Sequence, residues 1–291
     1  MKEFSLKHTW TVAKYHMRFS LRSGGGIVSL LMTLITAIVV ASMFISPVEA
    51  LASYEENPLT PQEMMTHISE SSGAKEAVNW LLDEENEGEY LLAEKPALLS
   101  CIMLILLMLL PYLVCFGAFN QTSGDIANKG LRFLLLRTER VNIYMGRFIG
   151  TALFNLTTII ASMILLVLYI QFKLGIYNGV DLWIWSIQGG LAYFTLSLPF
   201  VALCAWISSN IESPFGSLVL CLLIVGFPAI FLKLFNPAIG VDFLHKLWPT
   251  GWKFGMLNSN FSTVSVTTVV LLLFTAGFLW IGLRGFQKRD L

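Results

Sequence analysis

The sequence predicts an all-α, polytopic membrane protein with six transmembrane helices, an N-terminal amphipathic interfacial helix and a helical cytoplasmic loop. Apolar residues make up 55% of the 291 residues and charged residues only 13%, against about 25% charged in a typical soluble domain. The charges are also segregated between long uncharged stretches, which reach the roughly 20 residues that a helix needs to cross a bilayer. Nearly the whole length is therefore used by spans, and no large soluble domain is expected.

Six apolar stretches have the length of a membrane-spanning helix. The first is too long for the apolar region of a signal peptide, so we expect a retained span rather than a cleaved leader. Pro111, Pro199 and Pro228 fall inside spans, where neighbouring helices can satisfy the freed backbone groups. The predicted spans cover residues 26–45, 97–119, 148–172, 183–207, 215–235 and 264–283, within one transmembrane domain of residues 26–291.

The distribution of Lys and Arg predicts the orientation. Cytoplasmic segments carry an excess of these residues, and with both chain ends inside, 13 of the 19 Lys and Arg residues fall in cytoplasmic segments. The reverse orientation would place that majority outside. We therefore expect a multi-pass protein of the cell membrane with cytoplasmic N- and C-termini. The formal net charge of zero gives no reason to expect a nucleic-acid partner.

Residues 1–25 predict a cytoplasmic interfacial elbow helix. Such a helix places its apolar face in the acyl boundary and its basic face toward anionic headgroups, so membrane lipids are expected partners. The glycines at 24–26 predict a flexible corner before the first span. The apolar positions at helical spacing are Leu6, Trp10, Ala13, Met17 and Leu21, and the basic positions are Lys7, Lys14, Arg18 and Arg22.

Two extracytoplasmic segments are unusual. Residues 46–96 form an acidic loop with twelve acidic residues and two lysines. A helix is expected to begin at Thr60, and another to cover about residues 74–82. The cluster at 83–89 favours a solvated acidic surface over a cation site, because it lacks the spacing of a calcium loop. Residues 236–261 are aromatic and carry prolines, which predicts an interfacial or re-entrant segment.

The sequence gives no sign of catalysis on this chain. It lacks a phosphate-binding G-x-x-x-x-G-K-[ST] motif, and its four histidines lie outside the predicted spans. We therefore expect no catalytic, cofactor-binding or metal-binding residues. The cysteines fall in apolar stretches and are interpreted as buried thiols: Cys101, Cys115, Cys204 and Cys221.

The inner loop, residues 120–147, combines five basic and two acidic residues with an apolar run. A loop that only obeyed the positive-inside rule would not need the apolar residues. A folded cytoplasmic element that contacts a partner explains both features. The apolar run comprises Ile126, Leu131, Phe133, Leu134, Leu135 and Leu136.

The stretch Gly130-Leu131-Arg132-Phe133-Leu134-Leu135-Leu136-Arg137-Thr138-Glu139-Arg140, followed by Gly146-Arg147-Phe148, resembles the cytoplasmic loop of type-2 ATP-binding-cassette permeases. The ending at 286–291, the Leu247-Trp248-Pro249 neighbourhood and the layout of the spans resemble the same family. Leu131, Glu139 and Arg147 depart from its pattern, which commonly has Thr, Ser and Lys at these places.

This resemblance implies a permease subunit that exports a substrate or extracts it from the membrane, and the nearly uncharged spans favour an amphipathic substrate. It further implies a second permease copy or a related permease, and separate cytoplasmic ATPase subunits that bind ATP and Mg. Loop 120–147 would be the coupling loop that contacts the ATPase. The candidate contact residues are Asp125, Lys129, Arg132, Phe133, Leu135, Arg137, Glu139 and Arg140.

The polar residues inside the spans leave alternatives open. Asn155 and Gln188 favour hydrogen bonding between helices, with a substrate path as the second interpretation. Ion-coupled transporters often carry ionisable residues in the membrane, and the spans here have essentially none. A secondary transporter or channel remains an alternative, as does a non-transporting assembly or sensory subunit.

Overall fold

The structure, a computed structural model, describes residues 5–52, 72–82, 87–239 and 244–289, and the regular elements in these ranges are all helical. This confirms the predicted all-α class. A short helical turn, Glu87–Glu89, continues as a π-helical turn, Tyr90–Glu94, and three 3₁₀ turns occupy Leu244–Leu247, Pro249–Trp252 and Phe254–Met256. The longer helices and the two short loop helices are α1 Leu6–Arg22, α2 Gly24–Ala52, α3 Ser72–Leu82, α4 Ala97–Ala118, α5 Ser123–Ala127, α6 Leu131–Leu135, α7 Arg140–Lys173, α8 Gly179–Asn210, α9 Pro214–Ile239 and α10 Phe261–Lys288.

Five of the described helices, α2, α4, α7, α8 and α10, are long and apolar enough to cross a membrane. They support the predicted multi-pass class. The apolar stretch Pro214–Phe227 of α9 is shorter, so the predicted span at 215–235 stays a prediction. The cysteines lie within these helices, half-buried at Cys101 and buried at Cys115, Cys204 and Cys221.

Helix α8 lies at the centre of the bundle, because it packs against α4, α7, α9 and α10. Within an 18-residue apolar stretch of each helix, 67% of the residues are buried in α4 and in α8, against 22% in α2 and 17% in α10. Polar side chains link the central helices. The Trp185 indole donates to Ser100 Oγ at 3.0 Å, and the Tyr193 hydroxyl donates to the Met103 carbonyl at 2.6 Å. Lipid tails offer no such acceptors, so these bonds hold α8 to α4.

The aromatic segment before α10 runs alongside that helix. The Trp248 ring lies 5.9 Å from the Phe278 ring, and the Thr268 hydroxyl lies 3.6 Å from the Met256 sulfur. Phe278 is 17 residues beyond Phe261, the first residue of α10, which corresponds to about 25 Å of helix. The segment therefore reaches far along α10, and its interfacial or re-entrant position in a membrane stays a prediction.

The acidic loop, residues 46–96, is described only in part. Helix α3 confirms the helix predicted at about 74–82, whereas the predicted start at Thr60 and residues 83–86 lie outside the described residues. Glu87 is buried, and its carboxylate accepts hydrogen bonds from Ser259 N at 3.1 Å and Ser259 Oγ at 2.7 Å. This carboxylate of the predicted solvated cluster therefore binds the chain itself, just before α10 begins.

Helix α1 packs closely on α7 through two glycines four residues apart. A Cβ atom at Gly146 would lie 2.8 Å from the Thr9 carbonyl oxygen, and one at Gly150 would lie 2.6 Å from that of Ala13. Small residues at this spacing allow two backbones to approach. Ala13, predicted for the lipid-facing side, is thus buried against α7 instead. The predicted glycine corner is also shorter, because only Ser23 separates α1 from α2.

We expect Gly150→Ala to lower the free energy of unfolding by about 1–3 kcal/mol, because the added methyl group would push α1 away from α7. The measurement is the thermal unfolding midpoint of the purified protein in mild detergent. Gly277→Ala is the matched control, since among the described residues no atom outside the adjoining turns of α10 lies within 4 Å of a Cβ at Gly277. Equal midpoints for the two variants would mean that the close approach contributes nothing.

Candidate functional site

Residues 140–147 of the predicted loop are the first turns of α7. The residues before them, 120–139, are called the loop below and fold as two short helices, α5 and α6, joined by a tight corner. Lys129 forms the corner with a φ of 55°, a left-handed conformation that non-glycine residues rarely adopt. The Asn120 side chain stabilises the beginning of the loop, because its Oδ1 accepts from Gly124 N at 2.8 Å and Ser123 Oγ at 3.1 Å. The loop is therefore a defined element rather than a linker.

The first half of the loop is attached to α8 by buried hydrogen bonds. Ser208 Oγ accepts from the backbone N–H groups of Thr122 at 2.8 Å and Ser123 at 2.9 Å. Gln121 Nε2 donates to the Val201 carbonyl at 2.9 Å. These bonds satisfy N–H groups that would otherwise be unpaired at the start of α5, and they fix the loop to the central helix.

An ion pair between Arg147 and Asp125 joins the loop to α7. The Arg147 side chain is only 6% exposed. Its Nη2 atom binds the Asp125 carboxylate, and its Nη1 atom donates to the Gln121 carbonyl at 2.5 Å. A buried guanidinium is costly unless a carboxylate and further acceptors surround it. Asp125 and Gln121 supply both from the loop, so the loop must fold back against the start of α7.

The second half of the loop is attached to α1 through Asn142, which is buried. Its Oδ1 accepts from Ser5 N and Thr9 Oγ1, both at 3.1 Å, and its Nδ2 donates to Thr138 Oγ1 at 3.3 Å. One side chain of α7 therefore binds both the beginning of α1 and the end of the loop. His16 adds a second polar contact, with Nε2 at 3.1 Å from Thr151 Oγ1.

Arg140 and Arg289 connect the ends of three helices, namely the beginning of α7 and the C-terminal ends of α8 and α10. The Arg140 guanidinium donates to the carbonyls of Phe286 at 3.3 Å, Gln287 at 2.7 Å and Arg289 at 2.6 Å. These carbonyls at the end of α10 have no partner within the helix, so a cation there is favourable. Arg289 in turn donates to the Ser209 carbonyl at the end of α8 at 2.7 Å. Arg140, predicted to contact a partner, is therefore engaged within the chain.

The outer side of the loop exposes apolar and basic side chains together. Phe133 is 74% exposed and Leu136 is 79% exposed. Arg132 and Arg137 flank them and are exposed as well. Among the described residues, neither arginine has an ion-pair partner. This face, defined by Lys129, Arg132, Phe133, Leu136 and Arg137, is called the loop face below.

The structure separates the two residues of the predicted substrate path. Asn155 Nδ2 donates to Ser197 Oγ at 2.6 Å, which links α7 to α8, and Asn155 also lines a cavity of about 20 Å³ between α2, α4, α7 and α8. That volume holds about one water molecule. Gln188 is exposed on the outer surface of α8, beside Ile187 and Leu191. Asn155 thus joins helices, as the first interpretation predicted, and Gln188 does not line the cavity.

The predicted contact residues fall into three groups. Asp125 and Arg140 bind other parts of the chain, and Leu135 and Glu139 are half-buried. The remaining four are exposed on the loop face: Lys129, Arg132, Phe133 and Arg137. Sequence reasoning missed Gln121, Ser208 and Asn142, the residues that hold the loop in place. The sequence shows only that these residues are polar and lie at the edge of an apolar stretch. It does not show to which residues of the chain they bind.

Comparison with models of known protein families gives no match for this chain, and comparison with curated proteins gives none. The interpretation of the loop therefore depends on its own residues and contacts.

The two partners of the buried ion pair are expected to differ in their contribution to stability. Asp125→Ala would leave the buried guanidinium unpaired and should cost about 3 kcal/mol or more. Arg147→Met would leave only the half-exposed Asp125 carboxylate, which water can solvate, and should cost about 1 kcal/mol. Thermal unfolding midpoints in detergent measure the difference. Equal losses of stability in the two variants would contradict the expectation that leaving the buried Arg147 charge unpaired is the more costly change.

The docking of α1 is expected to weaken in acid. Burial, together with the positive charge of Arg147, lowers the pKa of His16 to about 3, from an ordinary value of about 6.5. Because the folded-state pKa is depressed, the contribution of neutral His16 is fully present above about pH 6.5 and is lost as the pH falls toward 3. The unfolding midpoint should drop between about pH 7.5 and about pH 5. His16→Gln should reduce that drop, and an unchanged pH profile would contradict the assignment.

Proposed function

We propose that this chain is the transmembrane permease subunit of an ATP-binding-cassette transporter, driven by ATP hydrolysis on separate cytoplasmic ATPase subunits. The observation that carries the proposal is the loop face: exposed Phe133 and Leu136 beside exposed arginines, on a loop held by buried bonds at both ends. A rigid apolar projection ringed by cations suits an apolar groove with an acidic rim on a partner protein.

The loop is also placed to pass on a displacement. Helix α7 begins at Arg140 and continues without interruption to Lys173, a length of 34 residues. The loop is bonded to the first turns of α7 through Arg147 and to the end of α8 through Ser208. A partner that moved the loop face would therefore move the cytoplasmic ends of two central helices together.

In this proposal the ends of the chain and the loop face lie in the cytoplasm, α9 provides the sixth span, and ATP and Mg bind to the partner. A second copy of the chain or a related permease completes the transporter. The described spans offer hydroxyl and amide groups rather than charges around the small cavity at Asn155. The cavity itself is too small for a substrate, but spans with so few charged groups favour an amphipathic substrate, exported or extracted from the membrane, over an ion.

Affinity purification of the full chain in mild detergent, followed by mass spectrometry, tests the partner. An ATPase subunit should co-purify, and Phe133→Ser should reduce its recovery at least about tenfold, because exposed aromatic residues at the centre of an interface carry much of its energy. Phe261→Ser is the matched control, since Phe261 is 82% exposed at the opposite end of the chain's membrane domain. Equal recovery from both variants would overturn the role of the loop face.

Charge reversals should separate partner contact from internal bonding. Arg137→Glu should reduce ATPase recovery and leave the unfolding midpoint unchanged, because Arg137 is exposed. Arg140→Glu should lower the midpoint, because it removes the donor to three carbonyls and places a carboxylate beside them. Normal ATPase recovery with Arg137→Glu would contradict the proposal.

Vesicles that contain only this chain test the rival function. Transport of a substrate driven by an ion gradient, with no ATPase present, would favour a secondary transporter. If a partner co-purifies but no nucleotide-dependent transport follows, an assembly or sensory subunit becomes the better interpretation.

A further inference from the structure

The cations of α1 point away from the protein. Thr9, Ala13 and Ser20 are buried against the bundle. At 100° per residue, Lys7, Lys14 and Arg18 lie about 120–160° around the helix from the centre of that buried face. All three are exposed, and residues 5–22 contain no carboxylate that could neutralise them. Among the described residues, none of the three has an ion-pair partner.

Exposed apolar side chains lie on both sides of this cationic ridge. Leu6 is 76% exposed and Trp10 56% on one flank, and Tyr15 is 70% exposed and Phe19 53% on the other. The Tyr15 and Phe19 rings are stacked, with centroids 6.5 Å apart. Water would solvate these flanks poorly. Aromatic rings and leucines that bracket a basic ridge match the boundary between headgroups and acyl chains.

The position of α1 along α7 agrees with headgroup depth. Thr9 is bonded to Asn142 and His16 to Thr151, so α1 lies beside the part of α7 where the predicted span begins, at residue 148. The exposed apolar surface also continues into the first turns of α2, where Val28 is 55% exposed. A lipid surface can cover α1 and α2 continuously, whereas an acidic protein would match only the ridge.

We propose that the exposed face of α1 binds anionic phospholipid headgroups of the surrounding leaflet, and that this binding sets the position of the loop at 120–139. The link between them is Asn142, which accepts from Ser5 and Thr9 of α1 and donates to Thr138 of the loop. The close packing at Gly146 and Gly150 makes α1 and the start of α7 move as one unit. The inference that lipid binding regulates the loop rests on the proposed function of the loop. The inference that α1 binds lipid does not.

The test uses the full chain in vesicles of phosphatidylcholine, alone or with about one third phosphatidylglycerol. A spin label at Tyr15→Cys reports the depth of α1 through its collisions with oxygen and with a water-soluble relaxation agent. A label at Phe133→Cys reports the mobility of the loop. With phosphatidylglycerol, the label on α1 should lose access to the water-soluble agent about tenfold, and high salt should reverse the change, because the attraction is electrostatic. The loop label should change its mobility under the same conditions.

A triple variant, with Lys7→Gln, Lys14→Gln and Arg18→Gln, should abolish both responses. Arg22 stays in place because it lies in the last turn of α1, beside the corner at Ser23. The control for the α1 label removes the same number of charges from the loop face, by Lys129→Gln, Arg132→Gln and Arg137→Gln, and should keep the response.

Each result decides one part of the proposal. Equal access of the α1 label in both lipids, or an undiminished response in the triple variant, overturns the lipid site and leaves an acidic protein surface as the occupant of this face. A response of α1 without a response of the loop overturns the regulatory link alone. Because no ATPase or nucleotide is present, failure here is distinct from failure of the proposed function.

Discussion

The buried guanidinium of Arg147 is the charge on which the fold of residues 120–147 depends. A cation removed from water loses several kcal/mol of solvation unless a carboxylate and further acceptors replace the water. Both acceptors, the Asp125 carboxylate and the Gln121 carbonyl, come from the loop that precedes α7. The loop must therefore fold back onto the helix that follows it. Once it has done so, Ser208 can satisfy the N–H groups at the start of α5, and the apolar residues of α6 are left facing outward.

The same rule, that a polar group away from water needs a partner in the protein, explains the links elsewhere in the bundle. Asn142 joins α1, α7 and the loop; Asn155 joins α7 to α8; Trp185 and Tyr193 join α8 to α4. These polar side chains therefore determine, through their hydrogen bonds, which helices are held together. Close backbone contact supplements them at Gly146 and Gly150, where α1 packs against α7.

These contacts give the beginning of α7 two exposed neighbours. One is the loop face, whose apolar and cationic groups suit a protein partner. The other is α1, whose cationic ridge and apolar flanks suit a lipid surface. Because both are bonded to the first turns of α7, a protein partner and the membrane would act on the same helix. The proposed transporter would in this way sense both its ATPase and the composition of its leaflet.

The sequence alone determined the parts that depend on length and composition. Uncharged stretches of sufficient length predicted α2, α4, α7, α8 and α10, and the mixture of basic and apolar residues predicted a folded loop at 120–147. Helical periodicity predicted α1, yet it grouped Ala13 with the lipid-facing residues. Periodicity shows which residues share one side of a helix, but it does not show which neighbouring helix packs against that side. Only the tertiary structure decided that Arg140 binds the end of α10, that Asp125 neutralises Arg147 and that Gln188 and Asn155 lie apart. Each of these depends on contacts between residues distant in the chain. Hydropathy is a local sum along the sequence and contains no information about which helices become neighbours.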